Sequence, residues 1–416
     1  MTNAGKGSMP TRRTMTSRER VVAALSFQEP DRVPIDLGST WISTTTIPFY
    51  EKLKRHFGVE RPTDLMERNM QVCQIDEEIL VQLSVDTRFV SYNAPELPCN
   101  QNTELGEGHY RDPWGIEWRK PPTSYYYDLH KPPLGGEITK QDILRHPWPD
   151  PEDPGFTRNL RPRVEAMRTR TDCALVLNLS LWVLQCSQNV RGYEDWYIDL
   201  ATQPDLLECM ADCLTESMLG PLVKVTAEIG DLVDVISVSD DIGHQDRLCM
   251  NPITYRRVFK PRHARLMEAI TSRSSAPVMW HTCGSVVDVI DDLREIGVTC
   301  LNPVQTTAAR MDPRFLKREF GERMAFWGGI DTMTVLNHGS AEDVHAEVRD
   351  KIKALAPGGG YMLNPTHNVQ PDVPVENLLA MIDAGLKYGR YPLEQEVLTT
   401  PHAYRRGVLV AKSTLS

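Results

Sequence analysis

None of the nine cysteines in this 416-residue chain forms a CxxC pair, and their number is odd. A disulfide framework is therefore not expected, and the chain reads as a reduced, cytoplasmic protein. No block of lysine and arginine stands out, and acidic residues outnumber basic ones 56 to 46, for a net charge of −10. This excludes the footprint of a nucleic-acid binder and argues against a role on anionic membranes. No apolar run reaches the ~18 residues that a membrane-crossing helix needs. The first fifteen residues, MTNAGKGSMPTRRTM, contain no apolar segment and read as a flexible polar tail. Internal repeats and low-complexity tracts are also missing.

What is present is a rhythm. Short apolar, β-branched runs alternate with helical stretches, and eight such runs can be marked: 33–37 (VPIDL), 86–91 (DTRFVS), 173–180 (CALVLNLS), 232–240 (LVDVISVSD), 276–281 (APVMWH), 299–304 (TCLNPV), 324–328 (MAFWG) and 360–365 (GYMLNP). Near-continuous apolar runs belong to parallel strands covered on both faces. Among the intervening helical stretches are 285–296 (SVVDVIDDLREI) and 341–355 (AEDVHAEVRDKIKAL). Eight strand–helix units predict a (β/α)8 barrel, residues 16–416 forming one domain; such barrels run from roughly 200 to over 400 residues. Thr16-Ser17-Arg18-Glu19 is a capping-box pattern opening a helix that reaches Phe27. A long helix begins at Asp205 and runs towards Val225; Cys209 and Cys213 share one of its faces and read as small core residues.

After the second strand the pattern breaks. Residues 94–154 form an irregular insertion rich in Pro, Tyr and Trp, and GHYRDPWGIEWRK (108–120) predicts a hairpin around a Pro-Trp-Gly turn. An excursion of this kind most often covers the mouth of a barrel; the alternative is a plug at its bottom.

The chemistry is expected at the C-terminal strand ends. His281 and Cys283 are two residues apart at the end of the fifth strand, so an extended backbone points them the same way. Both are zinc-type donors, although a core histidine beside a buried thiol reads equally well. His367 follows the last strand and could complete a three-ligand site with one position open; otherwise it is a loop histidine bonded to backbone or substrate. Asp240 and Asp241 end the fourth strand facing opposite sides, and Asp331 ends the seventh. These are candidate acid–base groups or supports for a ligand histidine, with helix caps or ion pairs as the plainer alternative. Asn302 and Asn364 sit near strand ends as candidate substrate contacts. Trp41 and Trp280 could wall a substrate pocket, or simply be core. His244 reads as a surface residue.

The motifs SRERVVAALSFQEPDRVPIDL, DVISVSDDIGHQ, NPITYRRVFKPRHARLMEAI, WHTCGSV, GGID and LNPTHNVQPDVPVENLLAMI occur in this order from Thr16 onward. In order and spacing they resemble the uroporphyrinogen decarboxylase superfamily, and its corrinoid-linked methyltransferase branch more than the decarboxylase. The resemblance implies a (β/α)8 barrel. It also implies zinc held by a His-X-Cys pair, matching His281 and Cys283, and by a distant Cys whose place His367 takes. One thiolate with two imidazoles would leave Zn²⁺ at +1 rather than neutral, a harder Lewis acid better matched to oxygen than to sulfur. The arginine-rich stretch with which the decarboxylases bind their acidic substrate is replaced by Gly38-Ser39-Thr40-Trp41-Ile42-Ser43, without an arginine. No D-x-H-x-x-G corrinoid motif of the usual kind is present.

The expectation is therefore a zinc-dependent methyltransferase acting between a small O-methyl compound and a corrinoid (cobalamin) that arrives on a separate protein or free. A homo-oligomer is possible. The alternatives are a decarboxylase or lyase of a small carboxylic acid and a non-catalytic docking barrel for a corrinoid protein.

Overall fold

The computed structural model describes residues 14–399. Seven strands form one parallel sheet in strict chain order: Thr87–Ser91, Ala174–Asn178, Val235–Ser239, Val278–His281, Cys300–Asn302, Ala325–Ile330 and Tyr361–Pro365. Residues 33–37 close the curl into a barrel. Ile35 bridges Leu363 in parallel on one side. On the other, Asp86 donates its backbone N–H to the Ile35 carbonyl at 2.9 Å. All eight runs marked in the sequence thus line up around one barrel, the first as a sparsely bonded stave. Helices cover the outside, as apolar runs on both-face-buried strands require.

Side chains alternate along each strand. Ala174, Val176, Val235, Met279, Cys300, Ala325, Trp327 and Met362 fill the interior with Val21 and Leu25 of the helix Ser17–Leu25. That helix closes the barrel bottom: Arg18 N–H reaches the Asp172 carbonyl and Gly360 N–H the Ala24 carbonyl, at strand N-terminal ends. Its capping box forms as the sequence predicts, and it ends two residues short of Phe27. The long helix runs Pro204–Ile229, and the predicted helix Ala341–Leu355 has the expected bounds. The stretch 285–296 is shorter than expected, a 3-10 turn Val287–Val289 followed by Ile290–Glu295. Gly284 sits at φ +85°, and Val286 and Val289 take φ −121° and −129°, outside the helical range, so the regular helix starts only at Ile290.

The insertion holds a four-stranded antiparallel sheet, Thr103–Gly106, His109–Arg111, Glu117–Arg119 and Asp128–Lys131. The Pro-Trp-Gly turn joins the middle pair. The Asp112 carboxylate accepts from Trp114 N at 2.9 Å, Ile116 N at 3.0 Å and Trp118 Nε1 at 2.8 Å. Gly115 takes φ +83°, where an added Cβ would also press on His146 and Pro133. A further small sheet, Thr45–Thr46, Leu65–Glu67 and Val72–Cys73, has no counterpart in the sequence reading, because two- and three-residue strands carry no visible periodicity.

Of the tail expected over residues 1–15, all but the last two lie outside the described residues; Met15 is pinned, its N–H on Asp31 and its carbonyl on Arg20. Residues 400–416 of the expected domain also lie outside. Among the described residues no helix is long and apolar enough to cross a membrane.

Candidate metal centre and cavity

The fifth strand ends at His281, and alternation decides what its neighbours do. His281 follows Met279 into the barrel, whereas Trp280 points out with Val278. Trp280 is therefore core and not a cavity wall: its ring packs 4.9 Å from that of His263, and its Nε1 donates to the Asp240 carbonyl at 3.2 Å. Past the strand end, Cys283 Sγ comes back to 3.5 Å from His281 Nε2. From the end of the last strand, His367 brings its ring centroid to 5.7 Å from that of His281. One donor atom from each of His281, Cys283 and His367 lies within 4.8 Å of the other two.

The set fits a divalent metal ion. Asn302 donates its amide to the Trp327 carbonyl at 3.0 Å, which fixes its Oδ1 as acceptor for His281 Nδ1 at 2.5 Å. The proton is thereby held on Nδ1, and Nε2 keeps a lone pair facing Cys283 and His367. Burial lowers the pKa of His281; burial, and then His281 itself, bring His367 down to about 4. Both rings are thus neutral donors. The Cys283 thiol is pushed well above its usual range by burial and by Asp241, so a cation beside it is what would make it a thiolate.

The two adjacent aspartates separate. Asp241 lines the cavity, its Oδ1 3.9 Å from His281 Nε2, and accepts from Cys283 N at 2.7 Å and Gln185 Nε2 at 3.0 Å. Asp240 is fully buried on the other side. It takes the Leu184 and Gln185 N–H groups at the start of the helix Val183–Arg191 and bonds His263 Nε2 at 2.9 Å. It is a cap in an internal network, not a group at the mouth. Asp331 likewise folds onto its own turn, accepting from Met333 N and Thr334 Oγ1, and lies outside the cavity lining. Asn364 is also away from the cavity, donating to the Asp36 carboxylate inside the barrel at 3.1 Å. Asn302 supports His281 from beneath rather than facing a substrate. Trp41 does line the cavity, and His244 is exposed, bonded to Tyr197.

The cavity encloses about 910 Å³, the upper range for small-molecule sites. Its walls are largely apolar and aromatic, with Trp41, Tyr92, Trp114, Phe156 and Trp182 prominent. The insertion supplies part of the rim, from Ala94 to Asp150 and including the turn residues Pro113 and Trp114, so it does cover the mouth. Among the described lining residues there is no lysine or arginine. Sequence reasoning missed Gln185, which holds Asp241, and the wall residues Trp114 and Trp182. A helix-borne glutamine carries no motif, the Trp content of the insertion hinted at Trp114 alone, and Trp182 lies beyond the insertion, past the third strand.

Comparison with known proteins gives a consistent picture. The family model described as uroporphyrinogen decarboxylase matches residues 182–388. That region holds Asp241, His281, Cys283 and His367 and leaves out the inserted sheet. Over 200 residues the chain is 27% identical to the methylcobamide:CoM methyltransferase MtaA of Methanosarcina barkeri, which covers 48% of this chain and 53% of that protein. The chain thus spans about half the length of this curated relative. A uroporphyrinogen decarboxylase of Coxiella burnetii is 22% identical over 278 residues, 63% of this chain and 73% of the relative. A methyltransferase structure from Methanosarcina mazei aligns over 90% of this chain and 99% of its own, with a TM-score of 0.59 at 18% identity, which shows a shared fold.

Proposed function

This chain belongs to the uroporphyrinogen decarboxylase superfamily, and from that premise we propose that it is a zinc-dependent, corrinoid-linked methyltransferase whose methyl donor is a small, neutral O-methyl compound. The observation that carries this reading is the His281–Cys283–His367 donor set, opening on an apolar cavity whose described lining has no cationic side chain.

His281, Cys283 and His367 would hold the zinc, with one position left for substrate. Bound there with a single thiolate, the ion would supply Lewis acidity towards an ether oxygen. The aromatic walls take up the body of the substrate and exclude water from the reacting atoms. With Glu67, Asp150 and Asp241 as the only carboxylates, and no lysine or arginine, among the described lining residues, the cavity disfavours an anionic substrate. This weighs against a polycarboxylate as well as against an anionic thiol. Asp241, held by Gln185 and by the backbone of Cys283, keeps that ligand's loop in register beside the imidazole pair. A corrinoid, arriving at the mouth on a separate protein or free, would take the methyl group.

The test pairs zinc stoichiometry with methyl transfer to cob(I)alamin, followed by loss of the reduced-cobalt absorbance, over a panel of methyl ethers and thiols. The wild type should carry zinc and turn over ethers. Cys283→Ala should lose metal and activity together, and Asp241→Asn should keep the metal and lose part of the rate. A zinc-free Cys283→Ala protein that turns over normally would sink the proposal. Release of carbon dioxide from a small acid, without any corrinoid, would establish a decarboxylase instead.

A further inference from the structure

A second set of metal-type donors converges in the inserted sheet, outside the region that the family match covers. Tyr110 and Trp118 are cross-strand partners and both are buried, so the face they share is the inner one. Alternation then puts His109 and Glu117 on the outer face. The last strand would ordinarily oppose Trp118 with His130. Instead the pairing slips: Glu117 opposes Lys131 and Trp118 opposes Leu129, which leaves His130 as the extra residue of a bulge. Bulges re-aim side chains, and this one turns His130 towards the outer face, its ring 5.0 Å from that of His109 at an interplanar angle of 84°.

One donor atom from each of His109, Glu117 and His130 lies within 4.8 Å of the other two. The two carboxylate oxygens of Glu117 are differently engaged. Oε1 accepts from Arg111 at 2.8 Å, while Oε2 faces His109 Nε2 at 3.4 Å. That ring nitrogen is sealed from solvent and has no hydrogen-bond partner among the described residues, an uncommon condition for a buried polar atom. Two imidazoles and one carboxylate are a donor set suited to first-row divalent ions, zinc above all.

We propose that His109, Glu117 and His130 form a second divalent-metal site, which ties three successive strands of the insertion together from outside. The inner face of the same sheet backs the cavity wall. Arg68 lies 3.9 Å over the Tyr110 ring, Tyr127 N–H reaches the Asn69 carbonyl at 3.0 Å and Lys120 holds Gln71 at 2.9 Å, while Asn69 and Met70 line the cavity. A metal at the outer face therefore stiffens the cover of the mouth without touching the chemistry beneath it.

The experiment measures zinc bound to the full-length protein after metal stripping and dialysis against buffered free zinc. His109→Asn/His130→Asn should bind one equivalent fewer than the wild type. Cys283→Ala/His367→Ala should keep that equivalent, which separates this site from the one at the strand ends whatever that one proves to be. In the Cys283→Ala/His367→Ala background, zinc should slow proteolysis within 103–131, and Arg111→Gln should tighten binding by freeing Glu117 Oε1. The single variant His130→Gln, altered only at the bulge, gives the same reading if the double variant misfolds. Equal zinc content in the wild type and the histidine variants overturns the proposal, as does zinc that leaves entirely with Cys283 and His367.

Discussion

Asn302 makes one hydrogen bond that matters and one that makes it possible. Its amide is anchored on the Trp327 carbonyl, so its oxygen must face His281 Nδ1. Replacing it by leucine removes the acceptor that selects the tautomer, and outer-shell changes of this type cost about 10–100-fold in metal affinity. Asn302→Leu is therefore expected to weaken zinc within that range while the protein stays folded, checked by competition with a chromophoric chelator. Unchanged affinity would mean that the ring is oriented by something else. At this scale the sequence was legible where strand alternation applies and illegible where it does not. Period two distinguishes inward His281 from outward Trp280, once the strand's register is known. It also separates Asp241 from Asp240, but only the structure tells which of the two faces the cavity. Asp331 and Asn364 sit at strand ends like the others, yet Asp331 is captured by its own turn and Asn364 by the distant Asp36, and no spacing rule announces such capture.

The hairpin of the insertion hangs on Asp112. Three N–H donors converge on its carboxylate, yet burial dominates and raises its pKa to about 6. In an unfolded chain an aspartate titrates near ~3.9. Between these values the native turn holds a proton that the unfolded chain has released, so this group's stabilising contribution is fully present below about pH 4 and is lost as pH rises through 6. Asp112→Asn should flatten that part of the pH–stability profile of segment 108–120, read as local amide exchange at pH 4 to 7. An unaltered profile would assign the slope elsewhere. The hairpin itself was readable because Pro-Trp-Gly flanked by alternating residues is a local instruction. The same holds for the helix Ala341–Leu355, whose apolar spacing lies within the segment and whose Ser340 cap stands next to it. The delayed helix after Cys283 was not readable, because the non-helical φ angles of Val286 and Val289 that hold it back leave no mark in the apolar spacing.

At the scale of the whole molecule the barrel is held shut around Asp86. This fully buried carboxylate pairs with Arg20 at 2.6 Å and Arg32 at 2.7 Å and accepts from Ile35 N at 2.8 Å, tying the bottom helix and the first stave to the second strand. Removing one partner of a buried ion pair strands the others and costs about 3–5 kcal/mol. Asp86→Ala should accordingly lower the denaturation midpoint sharply, with zinc content per folded molecule unchanged; a shift no larger than that of a surface mutant would refute the assignment. The eight-stave count was visible in the sequence because each stave is a local apolar run. The closure was not visible, because it joins residues at opposite ends of the chain. Asn364 and Asp36, which bond across the seam, are 328 positions apart. During synthesis, at about 5–20 residues per second, the first stave must therefore wait on the order of tens of seconds for its last neighbour to leave the ribosome. His367 follows that neighbour by only a few residues. A nascent chain halted before that last stave carries seven staves with an open edge and two of the three donors, so the arrest of translation, not the loss of any single contact, is the event that would leave this protein both sticky and without a complete donor set.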